Sequence, residues 1–225
     1  MDIVEVAARK LADGYPVLLH DGVDRENEVD IVYRADVVTP DVVRNIRRIA
    51  GGLLCFVTRY EFGKILGIEL QSRLLRKLAL DKLVKLPSYG DEPAFSLWVN
   101  HVKVRTGIRD VDRSLTVREL AKIVSLIEKG HLEEACRKFY SDFYSPGHVP
   151  ILLGRIGERR GHTELSLMLA EIAEISPALV ICEILGDSTD VPTMDELKRL
   201  ADKLNTVLVS GLEVEKYYVK NVVKK

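Results

Sequence analysis

The run Asp24-Arg25-Glu26-Asn27-Glu28-Val29-Asp30 carries an acidic group at every second position. In an extended chain Asp24, Glu26, Glu28 and Asp30 would share one face, where they repel one another unless water or a cation intervenes. Oxygen clusters of this kind hold hard cations, and Mg²⁺ typically takes one or two carboxylates while keeping waters for its substrate. A solvated turn after a strand can have the same composition, so the pattern leaves both readings open.

Other segments add different chemistry. His148, within Ser145-Pro146-Gly147-His148-Val149-Pro150, would be held between a Pro-Gly turn and a strand and could titrate near neutral pH; an exposed turn histidine is the alternative. Arg159-Arg160-Gly161-His162-Thr163-Glu164 opens a helix, where free amides, the helix dipole and an arginine form a natural phosphate seat. There His162 could ligate a metal, and Thr163 could cap the helix or meet a phosphate oxygen. Glu183 ends the apolar run Ala178 to Cys182, a place suited to a carboxylate raised toward base chemistry or to a strand emerging into water. Arg105-Thr106-Gly107 and Asp112-Arg113 form a polar turn that either binds substrate or caps and pairs. Cys55, inside Leu53 to Val57, reads as core.

Six stretches, in order along nearly the whole chain, resemble one family, 3,4-dihydroxy-2-butanone 4-phosphate synthase of riboflavin biosynthesis. They are His20–Tyr33 (HDGVDRENEVDIVY), Gly51–Thr58 (GGLLCFVT), Thr106–Thr116 (TGIRDVDRSLT), Ser145–Pro150 (SPGHVP), Arg159–Glu164 (RRGHTE) and Cys182–Leu185 (CEIL). The resemblance implies conversion of ribulose 5-phosphate to the four-carbon butanone phosphate plus formate, by a Mg²⁺-dependent homodimer. It implies that Glu26 and His162 ligate a pair of Mg²⁺ ions; Mn²⁺ is expected to substitute because a histidine ligand is less typical of pure Mg²⁺ sites. Arg25, Glu26, Asp30 and Glu183 would contact substrate, and Arg159, Arg160, Gly161, His162 and Thr163 would surround its phosphate. His148 and Glu183 match essential catalytic positions, with Glu28 and Asp21 as supporting acids. Cys55 and Thr106 would line the pocket. Asp24 receives no role.

The chain also departs from the family pattern. Val29 stands where glycine is usual, which removes freedom for positive φ. Gly22 and Val23 stand where many members carry acids, and Arg160 occupies a variable position. The fused cyclohydrolase domain of some members is absent, which implies the single activity.

The elements that must position these groups alternate between helix and strand. Helical spacing runs from Ile3 to Leu11, and Thr39-Pro40 opens a helix to about Ala50. Thr116 with Glu119 and Thr193 with Glu196 are capping-box signatures, the first opening a helix through Ile127, and a further helix is expected over 163–173. Strands are expected at 16–19, 31–33, 53–57, 95–99, 102–104, 149–153, 178–184 and 206–210. Residues 62–86 form a partly helical excursion, and 220–225 a frayed basic tail. This alternation predicts a single α+β domain over 1–225, a mixed sheet flanked by helices.

With 225 residues, 47% apolar and 30% charged, the chain can build a real core. A net charge of −1 argues against nucleic-acid or membrane-surface partners, and no apolar run is long enough to span a bilayer. The acidic N-terminus is unlike a signal peptide, and three widely spaced cysteines read as reduced thiols. A cytoplasmic enzyme is the expectation. An aldolase or isomerase using the same acids would differ in releasing no formate, and a nucleotide- or RNA-binding module would need a basic face.

Overall fold

In the computed structural model, residues 2–186 and 191–224 are described. Seven strands form one mixed sheet: β1 (Val17–His20), β2 (Val29–Arg34), β3 (Cys55–Arg59), β4 (Phe95–His101), β5 (Phe143–Gly154), β6 (Leu179–Glu183) and β7 (Leu208–Ser210). Their order is β4-β5-β3-β6-β2-β1-β7. Among the described strands, β3–β5 and β1–β7 are the parallel pairs. The α-helices are α1 (Ile3–Ala12), α2 (Pro40–Ile49), α3 (Tyr60–Ile65), α4 (Gln71–Lys77), α5 (Asp110–Glu128), α6 (Leu132–Asp142), α7 (His162–Ile172), α8 (Met194–Lys203) and α9 (Gly211–Tyr218). The expected mixed sheet flanked by helices is the observed architecture.

Strand alternation divides the apolar residues into two cores. Leu18, Ile31, Phe56, Ile151 and Val180 face the core that includes α5 residues such as Leu120 and Val124. Leu19, Val32, Cys55, Val57 and Ile181 face the other, shared with Leu11 of α1, Leu165 and Leu169 of α7 and Val214 of α9. The second face matters chemically, because Asp30 alternates in phase with Val32, and Glu183 with Ile181. Both acids therefore project on the α7 side, at one end of the sheet.

Local capping explains several boundaries. Thr39 accepts the Val42 N–H at 3.3 Å with Pro40 in the first turn, and Thr193 with Glu196 forms the expected capping box of α8. Thr116 does not cap a helix. α5 starts six residues earlier, at Asp110, and the Thr116 hydroxyl donates to the Asp112 carbonyl while accepting the His101 N–H. The Asp112 carboxylate instead gathers the N–H groups of Arg105, Thr106 and Gly107, making its own junction.

Other expectations are corrected. Residues 102–104 form a turn after β4 rather than a strand. The acidic run is a turn over Val23–Glu26, and only Val29 and Asp30 are extended, so its carboxylates do not share one strand face. Positive φ falls at Gly22 and Asn27, which leaves Val29 free to be a buried strand residue. Ser145–His148 lies inside β5, with a cis Ser145-Pro146 bond, not in a turn before a strand. The last residues are helical: Val219–Val223 form a π-helical turn with Val222 against the second core, where a frayed tail was expected; Lys225 lies outside the described residues. Helices α6 and α9 were not anticipated, although Leu132, Ala135, Cys136 and Phe139 have helical spacing.

Candidate active site

Asp21 follows β1 and is fully buried. One carboxylate oxygen accepts the Glu26 N–H at 3.1 Å and the other the Glu28 N–H at 3.2 Å. Asp21 thereby folds the acidic turn back on itself. The turn carries Arg25 and Glu26 toward the start of α7, where His162 is 5% exposed.

His162 is ringed by acids. Its Nδ1 is 3.6 Å from Glu26, and its Nε2 is 3.8 Å from Asp30, 4.0 Å from Asp21 and 3.1 Å from the Glu28 carbonyl. Burial opposes a charged ring, but Asp30, Glu26 and Asp21 outweigh it and hold His162 up at about 9. In return His162 draws the Glu26 carboxyl down to about 2 against the pull of burial, aided by Tyr89. Burial pushes Asp30 up to about 7, opposed by His162 and reinforced by Glu183. Glu28 is raised by burial and then by Glu26 and Glu183.

Glu183 reaches the group through strand register, since it pairs with Asp30 across β2 and β6. Its carboxylate accepts the Leu53 N–H at 2.7 Å, and its carbonyl accepts the Gly52 N–H at 3.0 Å. A Cβ on Gly52 would stand 2.4 Å from that carboxylate, so glycine is what lets the 51–53 backbone close on Glu183. Cys55 is buried on the same face. Burial, then Glu183 and Asp30, push its thiol well up, which makes it a neutral wall rather than a nucleophile.

Arg159 lies between Glu164, 2.7 Å away, and Glu26, 4.0 Å away. Glu164 also accepts the Gly161 and Arg155 N–H groups, and a Cβ on Gly161 would meet the Arg159 guanidinium. Gly161, not Thr163, is the N-cap of α7, and Thr163 is buried in its first turn. Arg160 points elsewhere, pairing with Asp24 at 3.3 Å and Glu215 at 3.4 Å; the acid without an assigned role thus has a partner. A cleft of about 490 Å³ beside the cluster is lined by Arg25, Tyr89, Asp91, Arg159 and Arg160, a volume suited to a small ligand. A second cleft, of about 530 Å³ between Arg34, Arg118 and Lys122, lies at the opposite end of β2 from Asp30.

The fold thus brings Asp21, Arg25, Glu26, Glu28, Asp30, Cys55, Arg159, His162 and Glu183 together. Among the described residues, no hydrogen bond or ion pair links His148 or Thr106 to them. His148 is exposed and bonded to Asn100, its N–H donating to the amide oxygen at 2.9 Å. Thr106 is exposed, and the next residue, Gly107, packs on Asn100. The sequence reading missed Asn100, Glu164, Tyr89 and Asp91. The Pro87-to-Pro93 segment has turn composition, but that composition says nothing about where the turn lands.

The sequence profile of 3,4-dihydroxy-2-butanone 4-phosphate synthase matches residues 5–217. The chain belongs to this family. The synthase of Archaeoglobus fulgidus is 36% identical over 96% of this chain and 94% of its own length. That of Methanothermobacter thermautotrophicus is 34% identical over 96% of both. Among solved structures, the Candida albicans synthase superposes with a TM-score of 0.74 at 25% identity, over 95% of this chain and 96% of its own. A synthase in complex with two magnesium ions gives 0.76 at 24%, over 98% of both. As a 3,4-dihydroxy-2-butanone 4-phosphate synthase, the chain converts D-ribulose 5-phosphate to L-3,4-dihydroxy-2-butanone 4-phosphate and formate in riboflavin biosynthesis.

Proposed function

We propose that this synthase activity resides in the cluster around His162 and depends on Mg²⁺ held by Glu26 and His162. The observation that carries the reading is the convergence of Asp21, Glu26 and His162, whose ligand atoms all lie within 4.8 Å of one another. A buried Asp30 oxygen beside them has no hydrogen-bond partner. Two carboxylates and an imidazole suit Mg²⁺ and also Mn²⁺, which we propose can substitute. The structural relative that carries two magnesium ions supports a two-ion site here. When bound, the metal would act as a Lewis acid on neighbouring substrate oxygens.

The residues divide the remaining work. Asp21 shapes the acidic turn, while Arg25 and Asp30 meet the sugar hydroxyls. Arg159 and the residues Gly161 to Thr163 hold the phosphate, with Arg160 at the rim of the cleft. A proton α to the ketone must leave, C1 must be protonated as water departs, and the skeleton must rearrange before formate is released. Glu28 and Glu183 supply the acid–base groups of the cluster, where burial raises the Glu28 carboxyl toward a value from which it can both take and give a proton; His148, bonded to Asn100 outside the cluster, keeps the catalytic role that its motif implies. Cys55 lines the approach. We also propose a cytoplasmic homodimer. No described helix is long and apolar enough to cross a membrane. The exposed side chains of Val102, Ile108, Val111 and Tyr144 offer apolar surface to a second copy.

Formate release from ribulose 5-phosphate tests the site. Excess EDTA should stop it and Mg²⁺ restore it, while Glu26→Gln should abolish turnover and leave the fold intact. Substantial formate from that variant would overturn the ligand assignment.

A further inference from the structure

Arg25 is held in an unusual way. Its side chain is 7% exposed, and its Nη1 donates to the Asp91 carboxylate. The face of its guanidinium lies over the Tyr89 ring, 4.7 Å from the centroid. Its Nε and Nη2 are buried and have no hydrogen-bond partner. They point toward Asp21, 3.5 Å from Nε, and Glu26, 3.8 Å from Nη2, too far or too poorly angled for hydrogen bonds. One edge of the fork is therefore occupied, one face is covered, and the other edge is ion-paired with Asp21 and Glu26 but makes no hydrogen bond.

Leaving two buried guanidinium nitrogens without hydrogen bonds is costly unless a ligand oxygen completes them. An Nε/Nη2 edge presents two parallel donors, the arrangement that binds oxygen pairs of a polar ligand. Tyr89 and Asp91 come from the loop between Pro87 and Pro93, closed by the Gly90 N–H donating to the Pro87 carbonyl at 2.9 Å with Gly90 at φ +84. Both residues line the cleft that Arg25 and Arg159 line. The aromatic face restrains the guanidinium by a cation–π contact, and the carboxylate fixes its rotation.

We propose that Asp91 and Tyr89 are positioning residues that hold Arg25 by one corner and one face, so that its Nε/Nη2 edge is presented to the oxygens of the sugar-phosphate substrate. The inference rests on the reading of Arg25 as a substrate contact. The 87–93 loop then governs substrate affinity through Arg25, although neither residue belongs to the acidic turn.

Steady-state kinetics with Mg²⁺ and varied ribulose 5-phosphate test it. Asp91→Asn should raise KM about tenfold with kcat within about twofold, the signature of a lost binding contact. Asp91→Glu should recover most of that loss. Tyr89→Leu, which takes the ring from over Arg25, should also raise KM. In an Arg25→Lys background, Asp91→Asn should add less than about twofold, because residues acting through one group are not additive. An unchanged KM in Asp91→Asn would overturn the inference. So would a fall in KM, which would make Asp91 a competitor for Arg25, or a full additional loss in the Arg25→Lys background. If Arg25→Lys itself leaves KM unchanged, the substrate role of Arg25 fails as well; if it raises KM and Asp91→Asn does not, only the positioning role fails.

Discussion

Asp30 and Glu183 are register partners across β2 and β6, so their side chains stand on the same face of the sheet. They are 153 residues apart in sequence, and each contributes to raising or crowding the charges around His162. Glu183 is also a structural acceptor for the Leu53 N–H at 2.7 Å.

That double duty separates two variants. Glu183→Gln keeps an acceptor for Leu53 and should melt within about 2 °C of the wild type, while formate production falls at least about a hundredfold. Glu183→Ala strands the Leu53 N–H and should cost about 1–3 kcal/mol in addition. Thermal melts beside formate assays check both, and a fully active Glu183→Gln would remove Glu183 from the chemistry.

Asp21→Asn should act on the loop before it acts on the reaction. An amide nitrogen replaces one acceptor and faces a backbone N–H, either that of Glu26 or that of Glu28. The expected loss is about 2 kcal/mol, with faster hydrogen exchange over residues 22–28. Wild-type protection there would show that the loop is ordered by other contacts.

Metal binding can be read without turnover. Mn²⁺ titrated into the protein and followed by electron paramagnetic resonance should bind at least about tenfold more weakly to Glu26→Gln and His162→Gln than to the wild type. Equal binding by all three proteins would place the metal elsewhere.

Asp112 sets a pH-dependent contribution to stability away from the cluster. Arg109, followed by the N–H groups of Thr106, Gly107 and Arg105, draws its carboxyl well below the usual range against the opposing effect of burial. A depressed folded-state value means that the stabilisation is complete above the unfolded pKa of about 3.9. It is lost as pH falls through the folded value. Asp112→Asn should therefore lower stability by about 2 kcal/mol at pH 7, and the gap to the wild type should narrow as melts are taken from about pH 4 toward pH 2. A gap that persists unchanged at pH 2 would assign the effect to shape rather than charge.

Much of this was legible in the residue order. The Thr39-Pro40 and Thr193-Glu196 signals mark real helix starts, because a cap is formed by groups within about four residues. The apolar runs of β3 and β6 are real strands, and six motifs in order along the chain identify the family. The same local rules failed where a distant partner competed. Thr116 bonds to Asp112 and His101 inside α5, and the acidic run turns because Asp21 captures its N–H groups rather than extending as alternation implied.

The sequence by itself determined the family, the acid–base inventory and most of the strands. The tertiary structure decided which of those groups meet. His162 stands beside Glu26, 136 positions away, because α7 covers the face onto which β2 turns Asp30. Strand order brings Glu183 to that face, and the 87–93 loop brings Tyr89 and Asp91 onto Arg25. The same fold leaves His148 on Asn100 and Thr106 on Asp112. Periodicity and capping reach only a turn or two along the chain, whereas these encounters depend on strand register and layer packing, which the whole core sets together.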